Sequence, residues 1–390
     1  MRHFIGTFAL LLIFCATGRA DSVGSAPLPP EITFDNRSVT EGLVTVPLKL
    51  DNGQELRFVI DTGCPVTVVD RSLRRYLGEK RDSYKIEAWD IKQRAGVYTA
   101  PKLYLGGVQI LTWSNVVTCD LKKFLVPGIQ GILGMDCLQH YAIQMDFAAG
   151  KIRFLDRDHS TPRGQAFPIV FSNLGQSEPG HYRTFIEDLP FVAGTGKNMM
   201  IDTGFNLDGA LAFLAKQKGS EVQSNTVSLK KMAKNNWYLS EAVWAGNNYT
   251  NLVLSSAPQS VAGGGNVLGL RFLSRHLVTL DFPNRTLYLL PQSVGPLASR
   301  GDELMKALFP VDGKLHADID RRLTELLKTE HLPLGVRWFG GTLTLQMRGD
   351  SISYEFSFGR KMRNGSWKLK KARSLDEKGR ILEEFVVPTP

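Results

Sequence analysis

Two stretches decide how this chain folds: "FVIDTGCPVTVV", Phe58 to Val69, and "MMIDTGFNLDGAL", Met199 to Leu211. Each places Asp-Thr-Gly at the end of an apolar run, the pattern of a buried strand that stops at a carboxylate. The likeness continues downstream. "GILGMDCLQHYAIQMDFAAGKIRFL" (Gly131 to Leu155) parallels "NVLGLRFLSRHLVTLDFPNRTLYLL" (Asn266 to Leu290), with twelve residues from Gly134 to Asp146 and twelve again from Gly269 to Asp281. Asp61 precedes Gly134 by 73 residues, and Asp202 precedes Gly269 by 67. Between these landmarks "YTAPKLYLGG" (Tyr98 to Gly107) faces "YLSEAVWAGN" (Tyr238 to Asn247), with an aromatic at the seventh position of each. Features kept in one order at near-equal spacing mark an internal duplication.

The rest of the region from 31 to 293 is written in short apolar or alternating runs such as "VTVPLKL", "ELRFVI", "YAIQMDF" and "KIRFL", separated by turn signals such as "DNG" and "AAGK". It predicts a mainly β region. The best helical patterns, "VDRSLRRYLG" (Val69 to Gly78) and "LDGALAFLAKQKG" (Leu207 to Gly219), each follow an Asp-Thr-Gly.

Apolar-apolar-Asp-Thr-Gly, followed some seventy residues later by Ile132-Leu133-Gly134 or Val267-Leu268-Gly269, resembles the retropepsin and pepsin-like aspartic peptidases. The resemblance covers roughly residues 35 to 293. It implies a bilobal, acid-protease-like double β-barrel with pseudo-twofold symmetry, lobe 1 over 31–160 and lobe 2 over 161–293. It also implies a catalytic pair, Asp61 and Asp202, supported by Thr62, Gly63, Thr203 and Gly204.

Peptide hydrolysis without a metal or a covalent intermediate needs a nucleophilic water and an acid for the carbonyl oxygen. Two carboxylates sharing one proton supply both, because like charges a few ångströms apart resist joint ionisation; aspartic proteases are a standard example of this effect. Glycines at 63 and 204 are expected to let the backbone turn tightly, and the threonine hydroxyls to bond across the lobes. Cys64 and Phe205 occupy the position where many relatives carry Ser, Thr or Ala. Phe205 offers no side-chain donor, so a catalytically inactive peptide-binding or scaffolding protein on the same fold stands as the alternative. The segment from Ser83 to Thr99 is the expected substrate flap, with Tyr84 and Trp89 as its aromatics.

Composition bounds the other functions. The formal net charge is +9, yet no Lys/Arg array with interleaved aromatics stands out in the first 300 residues, so nucleic acid is not an expected partner. Met1-Arg2-His3, the apolar "FALLLIFCA" and the small-residue end "TGRA" read as a signal peptide over 1–20, which predicts an exported chain, periplasmic or extracellular. No stretch after it is suited to span a membrane. Cys64, Cys119 and Cys137 then remain, too few for a disulfide framework and in no zinc spacing. They read as buried thiols with at most one pair bridged. No metal or cofactor is expected; the expected partner is a peptide or protein substrate, and the expected state a monomer.

After "LYLLPQSVGP" the pattern changes. "DIDRRLTELLKTE" reads as a helix, "GTLTLQMRG" and "SISYEFSFG" as strands, and the basic "GRKMRNGSWKLKKARSLDEKGR" as a hairpin. Gly-Asp-x-Leu and x-Asp-Gly turns in this stretch resemble part of a PDZ domain. The expectation over 300–390 is a small α+β accessory domain.

Overall fold

The computed structural model describes residues 27–33, 43–88, 91–121, 128–156, 159–173, 182–187, 198–217, 221–223, 228–233, 236–256 and 265–292, together with five strands between 336 and 386. The signal-peptide segment, Trp89 and the helix expected over 318–330 lie outside the described residues.

Each Asp-Thr-Gly run is one leg of the same three-strand arrangement. In the first half the strand Glu55–Ile60 ends at Asp61, and the strand Gly131–Leu133 lies parallel to it with Leu133 opposite Ile60. That second strand is also antiparallel to Val68–Asp70, so it is inserted between the strands before and after the Asp-Thr-Gly turn. The second half repeats this. Asn266–Gly269 is parallel to Met199–Asp202 and antiparallel to Gly209–Leu211. Strands buried on both faces have no polar-out alternation to display, which is why both runs are almost wholly apolar. The insertion brings Gly134 and Gly269 against the loop that follows each Asp. A Cβ on Gly134 would meet the Val66 backbone and stand 2.9 Å from the Cys64 carbonyl oxygen; one on Gly269 would collide with the Leu207 carbonyl.

Around each core triplet a nine-stranded sheet is built, one per half. A third sheet of six strands joins the halves in the order Ile32–Thr33, Lys151–Leu155, Ala142–Asp146, His276–Asp281, Thr286–Pro291, Gln165–Pro168. Its central pair is antiparallel with Gln144 opposite Thr279. These two residues hold the same place in the two repeats, and the Gln144 amide donates to the Thr279 hydroxyl at 3.2 Å. A pseudo-twofold axis therefore passes between them. The Asp-Phe repeats supply the two hairpins of this sheet. Asp146 accepts from the Ala149 amide and Asp281 from the Asn284 amide, so each aspartate closes its own turn. The turns end in left-handed residues at matching positions, Gly150 (φ 67°) and Arg285 (φ 52°). Only the glycine adopts that region without steric cost.

The protein is thus mainly β, with two lobes of acid-protease-like topology related by pseudo-twofold symmetry. The expected helices after each Asp-Thr-Gly are shorter than their sequence pattern. Strands Val68–Asp70 and Gly209–Leu211 take up the start of each stretch, leaving single 3-10 segments, Arg71–Tyr76 and Ala212–Lys216. Sheet pairing has claimed the apolar residues that a longer helix would have needed on its buried face.

The aromatic match between the halves also shifts. The left-handed turns are Gly106-Gly107 in one half and Ala245-Gly246 in the other, one position out of step with the sequence alignment. With the turns superposed, Trp244 corresponds to buried Leu105, and Tyr104 to Val243, which is 73% exposed. The two aromatics are not equivalent.

The five C-terminal strands, Val336–Phe339, Thr342–Gln346, Ser353–Phe358, Leu369–Leu375 and Ile381–Val386, each pair antiparallel with the next in the chain. The turns that prompted the PDZ resemblance lie outside the described residues. Among the described residues, no helix is long and apolar enough to cross a membrane.

The last strand of the joining sheet, Thr286–Pro291, is followed by Gln292, whose amide donates to the Arg275 carbonyl. A chain ending at Gln292 is expected to fold with a single cooperative melt. A chain ending before Thr286 should fail, because it removes a strand between two others in that sheet. Thermal melts followed by circular dichroism on the two truncations check this. Aggregation of the longer one would show that the C-terminal strands complete the second lobe.

Candidate active site

The two Asp-Thr-Gly turns meet at the axis, and four hydrogen bonds tie them together. The Thr62 hydroxyl donates to the Ile201 carbonyl at 2.8 Å and accepts from the Thr203 amide at 3.1 Å. Thr203 does the reverse, donating to the Ile60 carbonyl at 2.8 Å and accepting from the Thr62 amide at 3.0 Å. Both threonines are fully buried. No water competes for these groups, so every donor and acceptor in the set depends on the opposite lobe.

This exchange sets the carboxyl groups of Asp61 and Asp202 in hydrogen bond to one another. Asp61 accepts from the Gly63 amide at 2.9 Å and the Cys64 amide at 3.1 Å; Asp202 accepts from the Gly204 amide at 2.9 Å and from the Phe205 amide. The role of the two glycines differs from the sequence expectation. Neither has a positive φ. What they supply is space: a Cβ on Gly63 would lie 2.5 Å from Asp202 Oδ1, and one on Gly204 would lie 2.5 Å from Asp61 Cγ.

Burial pushes both carboxyl pKa values up, Asp202 well above the usual range because the neighbouring Asp61 charge and their mutual hydrogen bond add to desolvation. For Asp61 the same hydrogen bond acts the other way, favouring its ionised form. The two carboxyls resist joint ionisation and titrate as a pair.

Cys64 and Phe205 serve the dyad through their backbone amides, Cys64 to Asp61 and Phe205 to Asp202. The Cys64 thiol points to the Val66 carbonyl, and burial holds its pKa well up. All three described cysteines are unbridged. Phe205 packs with Met200, Leu207, Ala210 and Val267, with Phe185 against them, so it walls the Asp202 side of the dyad with apolar surface.

Tyr84 lies on Lys80–Ala88, the first strand of the expected flap hairpin, and is 42% exposed. Its hairpin partner strand is Ile91–Thr99.

Behind each turn the sequence reading missed a buried polar pair. In lobe 1 Thr67 donates to Asp136 at 2.8 Å. In lobe 2 the same two positions are Asp208 and Arg271, ion-paired at 3.5 Å, with Arg275 also on Asp208 at 3.2 Å. Their signal was the charged residue two places after each apolar-apolar-Gly, Asp136 and Arg271. It carries weight only once the three-strand arrangement places it behind the loop.

The family model described as aspartyl protease matches residues 46–137. That span holds Asp61 and Gly134 but not Asp202. No curated protein matches the chain in sequence. Solved structures similar to it include the crystal structure of basic 7S globulin from soybean, at 12% identity, covering 69% of this chain and 96% of that one, with a TM-score of 0.41.

Two predictions follow from this geometry. Thr62→Val or Thr203→Val deletes one donor and one acceptor and leaves a buried amide unpaired. Each should cost about 2 kcal/mol or more in denaturant unfolding, and the double variant less than the sum, since both hydroxyls serve one network.

Asp136, fully buried, has its pKa raised to about 6 chiefly by desolvation. Between about 4 and 6 the folded state therefore binds more protons than the unfolded one, and stability falls as pH rises through that window. Asp136→Asn keeps an acceptor for Thr67 and removes the charge. It should flatten this fall and gain on the order of 3 kcal/mol at most at neutral pH, read from unfolding curves at pH 4, 5, 6 and 7.

By its paired motifs, its two-lobe topology and the family model over residues 46–137, the chain is similar to the pepsin- and retropepsin-like aspartyl proteases.

Proposed function

We propose that this chain is an exported aspartic endopeptidase that hydrolyses peptide bonds with the Asp61/Asp202 dyad. The observation that carries the reading is the pair of mutually hydrogen-bonded, buried carboxyls held by the reciprocal threonine bonds. Structural ion pairs also perturb pKa values, but a structural pair would be expected to join opposite charges. Two acids buried together cost stability, and that cost is explained by chemistry.

The roles follow from the environments. Asp61, whose ionised form the hydrogen bond from Asp202 favours, takes a proton from the attacking water. Asp202 is the protonated partner and gives its proton to the carbonyl oxygen as the C–O bond forms. The gem-diol intermediate collapses when the C–N bond breaks: one of its hydroxyls returns a proton to Asp202 as the carbonyl re-forms, and the proton now on Asp61 passes to the leaving nitrogen. Both enzyme groups then return to their starting state.

Substrate lies extended between the lobes, pairing its backbone as an added strand, with the hairpin bearing Tyr84 as the covering flap. One chain supplies both carboxylates, so a monomer suffices. The apolar start of the chain supports export.

Asp61→Asn and Asp202→Asn should each lower kcat/KM by on the order of 10³-fold or more, measured by mass spectrometry on a diverse peptide library at several pH values. Both variants should fold and melt no lower than wild type at neutral pH, because each removes a carboxyl whose pKa burial has raised. The wild-type profile should be a bell on the acid side of neutral, its upper limb lying above the ordinary carboxylate range. Undiminished turnover in either variant would move the chemistry elsewhere. A wild type that binds peptides and cleaves none would make the chain a binding protein.

A further inference from the structure

The dyad is nearly symmetric, but the strands that flank it are not. In lobe 1 the strand Thr45–Leu50 pairs with Glu55–Ile60, with Thr45 opposite Val59. Continuing that register by two residues sets Leu43 opposite Asp61. Leu43 is buried with Val59 and Ile129. In lobe 2 the strand Tyr182–Ile186 pairs with Met199–Asp202, with Phe185 opposite Met200. The same continuation sets Arg183 opposite Asp202. Side chains two apart on a strand share a face. Arg183 is therefore on the side of Phe185, which packs against the Phe205 cluster, and on the side of Asp202. An arginine stands where the pseudo-symmetric lobe has a leucine.

That arginine is half-buried, and its Nε is buried without a hydrogen-bond partner. Among the described residues its guanidinium makes no ion pair. The titratable groups nearest to it are Asp202 in its own lobe and Cys64 in the other, so it sits between the lobes beside the dyad, and burial pulls its pKa down. An unpartnered buried guanidinium nitrogen is costly, by more than a neutral donor would be. The planar fork of a guanidinium matches a carboxylate in two parallel hydrogen bonds. Asp202, the near carboxyl, is already engaged by Asp61, Gly204 and Phe205.

We infer that Arg183 is a specificity-determining residue of the cleft, and that it receives a carboxylate of the substrate, the side chain of an aspartate or glutamate close to the scissile bond. This rests on the peptidase reading for its setting, but the carboxylate contact can be tested without turnover. A half-buried guanidinium whose Nε pairs only when an acidic residue is present discriminates against the amide isostere, because the amide leaves the charge unpaired.

The test uses the full chain and fluorogenic peptides that differ only by Glu or Gln at successive positions on either side of the cleaved bond. A second pair has a free or an amidated C-terminus. Wild type should prefer Glu to Gln at one position by about tenfold or more in kcat/KM. Arg183→Gln should abolish that preference while leaving the Gln peptide within a few-fold of wild type. Arg183→Lys should keep part of it and serves in place of Arg183→Gln if that variant does not fold. A preference that follows only the free C-terminus would assign the same contact to the chain end, and with it an exopeptidase preference.

The inference is overturned if wild type shows no carboxylate preference. It is overturned too if the preference survives in Arg183→Gln, or if that variant slows all peptides equally, which would mean that Arg183 acts only through the dyad. If wild type cleaves none of the peptides, the peptidase reading fails separately. Fluorescence-anisotropy binding of the same Glu and Gln peptides then decides for Arg183: tighter binding of Glu in wild type but not in Arg183→Gln supports it, and equal binding sinks it.

Discussion

Two carboxyls that repel when ionised are held together by an exchange of threonine hydrogen bonds between the lobes. The exchange is reciprocal. Each hydroxyl satisfies a carbonyl that ends the other lobe's Asp strand and accepts the amide of the other threonine. A slip of one lobe against the other would strand buried polar groups on both sides at once, each worth about 1–3 kcal/mol. The energy well is therefore narrow as well as deep, which fixes the two carboxyls better than apolar packing alone. The joining sheet adds a second fixed point on the axis at Gln144 and Thr279. Two points define a line, and the lobes are left little freedom to rotate about anything else.

Duplication explains the architecture; its breakdown explains what is particular to this chain. The backbone scaffold is kept strictly, since Gly63, Gly134, Gly204 and Gly269 all stand where a Cβ would strike backbone or the opposite carboxylate. Side chains outside those contacts have diverged. The neutral-acid pair Thr67–Asp136 has become the ion pair Asp208–Arg271. Cys64 has become Phe205, and Arg183 stands at the register position that Leu43 holds in the other lobe. Each exchange makes the surroundings of Asp202 unlike those of Asp61, so the two acids need not share the proton evenly. An asymmetric cleft can also tell one end of a peptide from the other.

The paired strands and the dyad were legible because each is a local pattern repeated at fixed spacing. An apolar run ending in Asp-Thr-Gly, with apolar-apolar-Gly some seventy residues on, needs no tertiary knowledge to be recognised. The glycines were found for an incomplete reason: the sequence shows that a side chain is missing, and only the opposite lobe shows what would have filled the space. The helices after each Asp-Thr-Gly were over-read, because the same apolar residues serve a strand when a neighbouring strand is available, and that neighbour lies some sixty residues away. Tyr104 and Trp244 matched by count and not by place, since a one-residue difference in turn position turns a strand face over. Arg183 left no local mark at all. It stands nineteen residues before Asp202, as Leu43 stands eighteen before Asp61, and its meaning depends on a register that no single stretch displays.

Proton linkage then ties stability to the chemistry. The dyad and Asp136 have raised pKa values, so they favour the folded state at low pH and oppose it as pH climbs through their titrations. His276 acts in the opposite sense. Its Nδ1 donates to the Phe272 carbonyl, which can only accept, so its Nε2 is the bare nitrogen that accepts from the Tyr249 hydroxyl. Burial among Tyr249 and Phe272 lowers its pKa to about 4. The unfolded state takes up a proton there that the folded state refuses, and stability is lost as pH falls from the ordinary histidine range through about 4. The acids thus draw the fold toward low pH, while His276, on a central strand of the joining sheet, limits how far it can follow. Asp136 and His276 titrate over nearly the same span, so their opposed effects on stability offset one another there, and removing either group should expose the slope of the other.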